Sequence, residues 1–339
     1  MEVWQAVAEA LETVGRAALV TVVEVRGSSP REAGARLVVW PDGRFRGTIG
    51  GGALEWRAIA EASRDLGSGR RSVRLSRIAL GPELGQCCGG QVGLITEVLD
   101  ASDLPAAKAL AERAKAGPFT TVARFRRSAE ALERDAVDTL AGPVGARLDD
   151  DGLLTEVFGE RRRSVFLFGA GHVGRALVMA LAPLPVSVAW FDPRPDAFPA
   201  HVPANAGVSL LGDPADTLAA APEGSFVVVM THSHSLDLAI VDAALAADAA
   251  RFPYVGVIGS ATKRARFERR LTEAGRAATR VADLVCPIGG TALKSKLPAV
   301  IAAATACELL VRDEQCIAAL SPVAGGRPVD LRAPLSAQA

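Results

Sequence analysis

Two adjacent thiols set before two glycines, Cys87-Cys88-Gly89-Gly90, are the side chains of this sequence with the widest chemical reach. A Gly-Gly pair keeps the backbone open, so the thiols are expected to face a cleft. N–H groups gathered in such a turn lower a thiol's pKa, and the thiolate is the form that bonds metal or sulfur. Packing in a core is the ordinary fate of a free cysteine, but polar and glycine-rich neighbours argue against it for at least one of the pair. The local pattern does not choose between Cys87 and Cys88. Glycine-rich turns at helix starts are a second resource, because their N–H groups and the positive end of the helix dipole favour an anion. Gly169-x-Gly171-x-x-Gly174 is one such turn and Gly50-Gly51-Gly52 another. The three consecutive glycines suit equally a tight turn where strand and helix backbones touch.

The elements that must hold these residues follow from hydrophobic period. Val165–Phe168 is a wholly apolar strand, Gly169 makes the turn, and an apolar helical pattern runs from Arg175 to Leu181. In that setting Gly171 admits an anion close to the backbone and Gly174 lets helix sit on sheet. A second strand, Val186–Phe191, ends at Asp192, eighteen residues beyond Gly174 and near the place of a ribose-binding acid. Strand Phe226–Met230 delivers Thr231-His232-Ser233-His234-Ser235-Leu236-Asp237, and strand Tyr254–Ile258 delivers Gly259-Ser260-Ala261-Thr262-Lys263. Carboxyl ends of parallel strands line the ligand crevice, so His232 and His234 could bond a phosphate, shuttle a proton or bind metal there. Ser233 or Ser235 also suits a helix cap. Ser260 and Lys263 suit an anion.

Before residue 160 the pattern is α+β. A helix spans 2–15, a strand Leu19–Val25, and a hairpin turns at Pro41-Asp42-Gly43. A helical pattern follows the triple glycine to Asp65, then strand Ser72–Leu80, strand Val92–Val98, helix Leu104–Lys115 and strand Phe119–Phe125. Residues 128–160 show no strong period, and Arg161-Arg162-Arg163 reads as a solvated linker. The expected architecture is therefore an α/β chain. A smaller α+β domain (1–160) precedes a Rossmann-like doubly wound parallel sheet (161–312) and a tail (313–339). The helix from Lys296 to Val311 is almost wholly apolar, which places it in a core or a subunit interface. Cys307 and Cys316 read as packing and tail.

Composition narrows the classes. The chain has 339 residues, 49% hydrophobic and 22% charged, enough for two packed cores. Net charge is zero, so no basic excess exists to hold nucleic acid. The acidic, amphipathic N-terminus is unlike a signal peptide, and the apolar run Leu297–Cys307 is too short to span a bilayer. Five cysteines with two adjacent make no disulfide framework, which fits a reducing cytoplasm.

In order along the chain, the motifs are Arg26-Gly27-Ser28-Ser29-Pro30, Gly47-Thr48-Ile49-Gly50-Gly51-Gly52-x-Leu54-Glu55 and Cys88-Gly89-Gly90. Then come Gly169-x-Gly171-x-x-Gly174, Thr231-His232-x-His234-x-x-Asp237, Tyr254-x-Gly256-x-Ile258-Gly259-Ser260-x-x-Lys263 and Cys286-Pro287-Ile288-Gly289. This series resembles the XdhC/CoxI family of molybdoenzyme accessory proteins. One departure is Val300 in Pro298-Ala299-Val300-Ile301-Ala302, where the family commonly carries a Glu.

The resemblance implies a carrier rather than a catalyst, one that binds molybdenum cofactor (molybdopterin) and guards it during sulfuration. It implies delivery to xanthine dehydrogenase in purine catabolism, a cysteine desulfurase as partner, and a cytoplasmic homodimer without nucleic-acid or membrane partners. Cofactor-binding positions fall on Gly50, Gly51, Gly52, Gly89, Gly90, Gly169, Gly171 and Gly174, with the 50–52 entry and the Gly169 turn as phosphate cradles, and on His172, Asp192, His232, His234, Ser260 and Lys263. Cys88, aligned with the family's Cys-Gly-Gly, is the preferred soft donor for molybdenum, with Cys87 next to it. Two other functions compete. An NAD(P)-dependent oxidoreductase would bind its dinucleotide at Gly169 and Asp192 with His172 or His232 as acid or base, and Arg194 leaves NAD against NADP open. A dinucleotide beside the molybdenum cofactor is a further option. A zinc protein built on Cys87, Cys88, His232 and His234 lacks the CxxC or HxxxH spacing such sites use.

Overall fold

A computed structural model describes residues 3–81, 89–126, 129–137 and 145–320. The chain divides into two compact units, one ending at Arg161 and the next running from Arg162 to Ala319. The first contains α1 (Val3–Val14), β1 (Arg16–Arg26), β2 (Arg36–Val39), β3 (Phe45–Gly47) and α2 (Gly52–Gly67). These are followed by β4 (Ser72–Ala79), β5 (Gln91–Asp100), α3 (Leu104–Ala116) and β6 (Phe119–Arg124). The last strands are β7 (Asp135–Val137), β8 (Ala146–Leu148) and β9 (Leu153–Phe158). They form an antiparallel five-stranded sheet, β3-β2-β1-β5-β4, and a four-stranded sheet, β7-β6-β9-β8. The apolar alternation of β1 explains how one strand serves two layers. Ala18, Val20 and Val22 pack with Leu54, Ala58 and Leu66 of α2, whereas Ala17 and Leu19 pack with the α1 and α3 side.

Four buried charges join the two sheets. Arg134, its side chain 5% exposed, donates to Glu97 of β5 at 2.8 Å and to Glu156 of β9 at 2.8 Å. Glu156 also faces Arg36 of β2 at 3.6 Å. The two guanidinium groups lie over the rings of Trp4 and Phe158. Burial disfavours the Arg134 charge, but the two carboxylates outweigh it and hold the guanidinium above its ordinary value. Arg36, with a single acidic partner, is pulled below its ordinary value by the same burial. The aperiodic stretch after residue 128 thus contributes strands and a network residue.

The second unit begins with β10 (Arg163–Phe168), α4 (His172–Leu181), β11 (Val186–Asp192), β12 (Ala206–Leu210) and α5 (Pro214–Ala219). It continues with β13 (Phe226–Val229), α6 (His234–Ala246), β14 (Tyr254–Val257) and α7 (Ala261–Glu273). It closes with α8 (Ala278–Ala282), β15 (Leu284–Val285) and α9 (Pro298–Leu320). The sheet is parallel throughout, in the order β12-β11-β10-β13-β14-β15. Strand order therefore reverses between β10 and β13, the switch point of a doubly wound sheet. Phe166 and Phe168 pack on the α5–α7 face, and Val165 and Leu167 on the α4–α9 face.

Three expectations are corrected. Arg163 is no solvated linker residue. It starts β10, bonds Asp313 at 2.7 Å and the Gly224 carbonyl at 2.7 Å, and stacks on Phe226, because a strand end beneath α9 offers both an acid and a ring. That acid lies on α9, which continues past Val311 to Leu320, so 313–320 is helix rather than tail. The reading of Cys307 as a packing residue fails too, because it lies on the outer side of α9: Ala302, Ala306 and Leu309 are buried, while Cys307 and Val311 are exposed.

Replacing Arg134 with Met strands two buried carboxylates and should cost about 3–5 kcal/mol. A lowered urea midpoint for the first unit is the expected reading, and an unchanged midpoint would assign the network no structural role.

Candidate functional site

The glycine motifs of the first unit converge on Arg26–Pro30. Gly90 leaves no room for a side chain, since a Cβ there would stand 2.2 Å from the Ser28 carbonyl. Gly50, at φ +127, would drive a Cβ to 2.6 Å from Pro30. The turn after β3 closes on a carboxylate of its own chain. Glu55 accepts from the Thr48 hydroxyl at 2.6 Å and from the N–H of Ile49 at 2.9 Å and of Gly51 at 3.3 Å. Gly51, at φ +74, caps α2 without a side-chain bond. Gly52 and Gly89 are exposed. Cys87 and Cys88 lie outside the described residues.

In the second unit the first turn is built by close approach. A Cβ on Gly169 would meet the Met230 carbonyl at 2.3 Å, and one on Gly174 would meet the Gly169 carbonyl at 2.1 Å. Above Gly171 the space is open. His172 is exposed at the start of α4. Asp192, 0% exposed, is fully engaged: it accepts from the N–H of Ala170 at 2.8 Å and from the Arg194 guanidinium at 2.9 and 3.0 Å. Burial pushes this carboxyl up, but the bonds from Arg194 and Ala170 outweigh it and leave it below the usual carboxylate range.

The open polar groups lie one and two strands over, beyond β13 and β14. Asp237, 2% exposed, accepts from the Thr231 N–H at 2.9 Å, the Thr231 hydroxyl at 2.7 Å and the Lys263 ammonium at 2.6 Å. Lys263 also bonds the Ile258 carbonyl at 2.7 Å, and its stem crosses Gly259 where a Cβ would stand 2.6 Å away. Ser233 and Ser260 cap α6 and α7. Around this frame is a cavity of about 310 Å³ lined by His232, His234, Gly259, Ser260 and Lys263, and beside it one of about 540 Å³ that shares His234, Ser260 and Lys263. The crevice thus brings together His232, His234, Ser260 and Lys263, and leaves His172 and Asp192 at the first turn.

Sequence reasoning passed over Asp237, Arg266 and Arg270 as site residues. The spacing of Asp237 after a Thr-His turn, and cations on one face of α7, were the available signals. Cys286 lies behind Lys263, its Sγ 3.8 Å from the Ser260 carbonyl, and burial pushes its thiol up against the pull of Lys263 and Arg264. On the far side of β14, Glu308 accepts from the Gly289 N–H and faces the buried Tyr254 hydroxyl. Burial raises the Glu308 carboxyl despite those contacts. Among the described residues no group of three or more His, Cys, Asp or Glu is placed to hold a metal.

Fold and crevice together define a Rossmann-type unit in a chain that also carries an α+β unit. The family model for the XdhC Rossmann domain matches residues 165–309, that for the XdhC and CoxI family matches residues 10–76, and the chain belongs to this family. It is 41% identical over 87 residues to the molybdenum cofactor insertion chaperone PaoD of Escherichia coli K12, across 25% of this chain and 27% of that protein. It is 25% identical over 298 residues to the uncharacterized protein YqeB of the same organism, across 86% of this chain and 43% of that protein. The chain thus spans less than half the length of both curated relatives. The fold is shared with the crystal structure of a xanthine dehydrogenase from Bacillus halodurans, at a TM-score of 0.75 and 21% identity, over 95% of this chain and 98% of that one.

The lowered Asp192 carboxyl makes a prediction with a definite sign. Its contribution to stability is complete above the ordinary aspartate value of about 3.9 and is lost as pH falls through the lower native value. Asp192→Asn should remove that acid slope and cost about 1–3 kcal/mol at neutral pH. Urea unfolding followed from about pH 2.5 to about pH 7 checks both.

Proposed function

We propose that this protein is a molybdenum cofactor insertion chaperone. It takes up the cofactor, shields it while a cysteine desulfurase supports its sulfuration, and delivers it to a xanthine dehydrogenase. The observation that carries the reading is where the Rossmann unit keeps its uncommitted polar groups. The acid at the end of β11 is bound to Ala170 and Arg194, which leaves it no lone pair for a ribose hydroxyl, whereas the imidazoles of His232 and His234 line open space beyond β13. That distribution favours a carrier over an NAD(P)-dependent oxidoreductase, and family membership and the likeness to PaoD point the same way.

The residues present fit this cargo. Molybdopterin brings a terminal phosphate and a metal held by a dithiolene. His232, His234 and Ser260 offer donors to the cofactor, and Lys263, bonded to Asp237, holds together the two loops that carry them. Cys88, or Cys87 beside it, is the soft donor proposed for the metal. Low water access protects a sulfido ligand from hydrolysis. A carrier of this kind releases its cargo only to a target that binds it more tightly.

Protein purified from molybdenum-replete cells and oxidised should yield near-stoichiometric pterin fluorescence, and Cys87→Ala or Cys88→Ala should lower it. Unchanged retention in the folded double variant would retire the thiol assignment, and absence of pterin from the wild type would overturn the carrier reading.

A further inference from the structure

Helix α7 is strongly cationic, with Lys263, Arg264, Arg266, Arg269 and Arg270 against Glu268 and Glu273. Three of these cations are neutralised locally: Lys263 by Asp237 at 2.6 Å, Arg264 by Glu268 at 2.7 Å and Arg269 by Glu273 at 3.7 Å. Arg266 and Arg270 are different. Neither guanidinium makes an ion pair or side-chain hydrogen bond among the described residues, and both line the cavity of about 540 Å³. His234, Ser235 and Thr262 line it too, and the largely buried Phe267 is part of its wall.

We infer that this cavity seats the phosphate group of a phosphate monoester, clamped by Arg266 and Arg270. Two like charges at i and i+4 face the same side of a helix and disfavour it slightly. A paired surface helix would relieve that repulsion with an acid, as α7 does at every other cation but these two. A phosphate dianion does it instead, since each planar guanidinium matches two phosphate oxygens. Hydroxyls of Ser235 and Thr262 and the His234 imidazole line the same cavity and add further donors. The position also accounts for the first turn, where Asp192 already takes the Ala170 N–H. His234 belongs to both cavities, so the rest of the ligand extends from this phosphate toward His232 beyond β13. The site stands on the geometry alone, and only the naming of the ligand as the pterin cofactor rests on the carrier reading.

The test is calorimetric titration with inorganic phosphate at low ionic strength, alongside thermal melting. Arg266→Gln and Arg270→Gln should each weaken phosphate about tenfold, and the double variant by about a hundredfold. The phosphate-dependent rise in melting temperature should vanish with it. Without phosphate the double variant should melt no lower than the wild type, because a repulsion has been removed. Arg269→Gln, which breaks only an exposed pair, should leave phosphate affinity unchanged. Equal phosphate affinity in wild type and double variant overturns the inference, as does loss of affinity equal to that of Arg269→Gln. Two further arms identify the source of the phosphate. Loss of copurified pterin in the double variant supports both the site and the carrier reading. Phosphate binding that obeys these variants, with adenosine 5′-monophosphate far tighter than inorganic phosphate and no pterin retained, keeps the site and overturns the carrier.

Discussion

Every N–H group gathered into a tight turn must find an acceptor, and four motif turns of this protein are closed on a carboxylate of its own chain. Glu55 takes the N–H groups before α2, Asp192 that of Ala170, Asp237 that of Thr231 and Glu308 that of Gly289. A buried polar group left unmatched costs more than a made bond returns. The carboxylates therefore hold the turns open and rigid without a ligand. They also decide what remains for a guest, because a donor already bonded to Asp or Glu is not available to a phosphate.

The pair Asp237–Lys263 shows how far this reaches. Asp237 stands in the first turn of α6 and Lys263 in that of α7, so their contact locks the loops after β13 and β14 together. A buried pair repays its desolvation only when the remaining lone pairs and protons are bonded, as Thr231 and Ile258 ensure here. Gly259 follows from the same constraint, since only a residue without Cβ lets the lysine stem cross. The crevice is thus a by-product of two helix starts held at fixed spacing, and its walls include imidazoles and guanidiniums that no other side chain pairs with among the described residues.

For the carrier role proposed above this division of labour is physically sensible. The turns are preorganised by internal acids, so uptake of cargo orders few groups, and release disturbs few. In the first unit the same logic applies to Arg26–Pro30, which is gripped by Gly90 on one side and Gly50 on the other. Rigid contacts of this kind carry the segments that flank the thiol pair, while the ionic network around Arg134 secures the sheets behind them.

The sequence by itself determined the α/β class, the Rossmann-type unit with its Gly169 turn, the Pro41-Asp42-Gly43 hairpin and the family, since apolar period and glycine spacing are local signals. It also singled out His232, His234, Ser260 and Lys263, which the fold brings to one crevice. Strands β7, β8 and β9, which join the expected strand β6, escaped it because short strands beside a charged stretch bury too few residues to show a period. Arg163 was unreadable as a core residue because its partners, Gly224 and Asp313, are distant in sequence. Only the tertiary structure decided which cations are spent and which are free. A sequence gives the number of charges on α7, but pairing depends on which acids other helices bring within bonding distance.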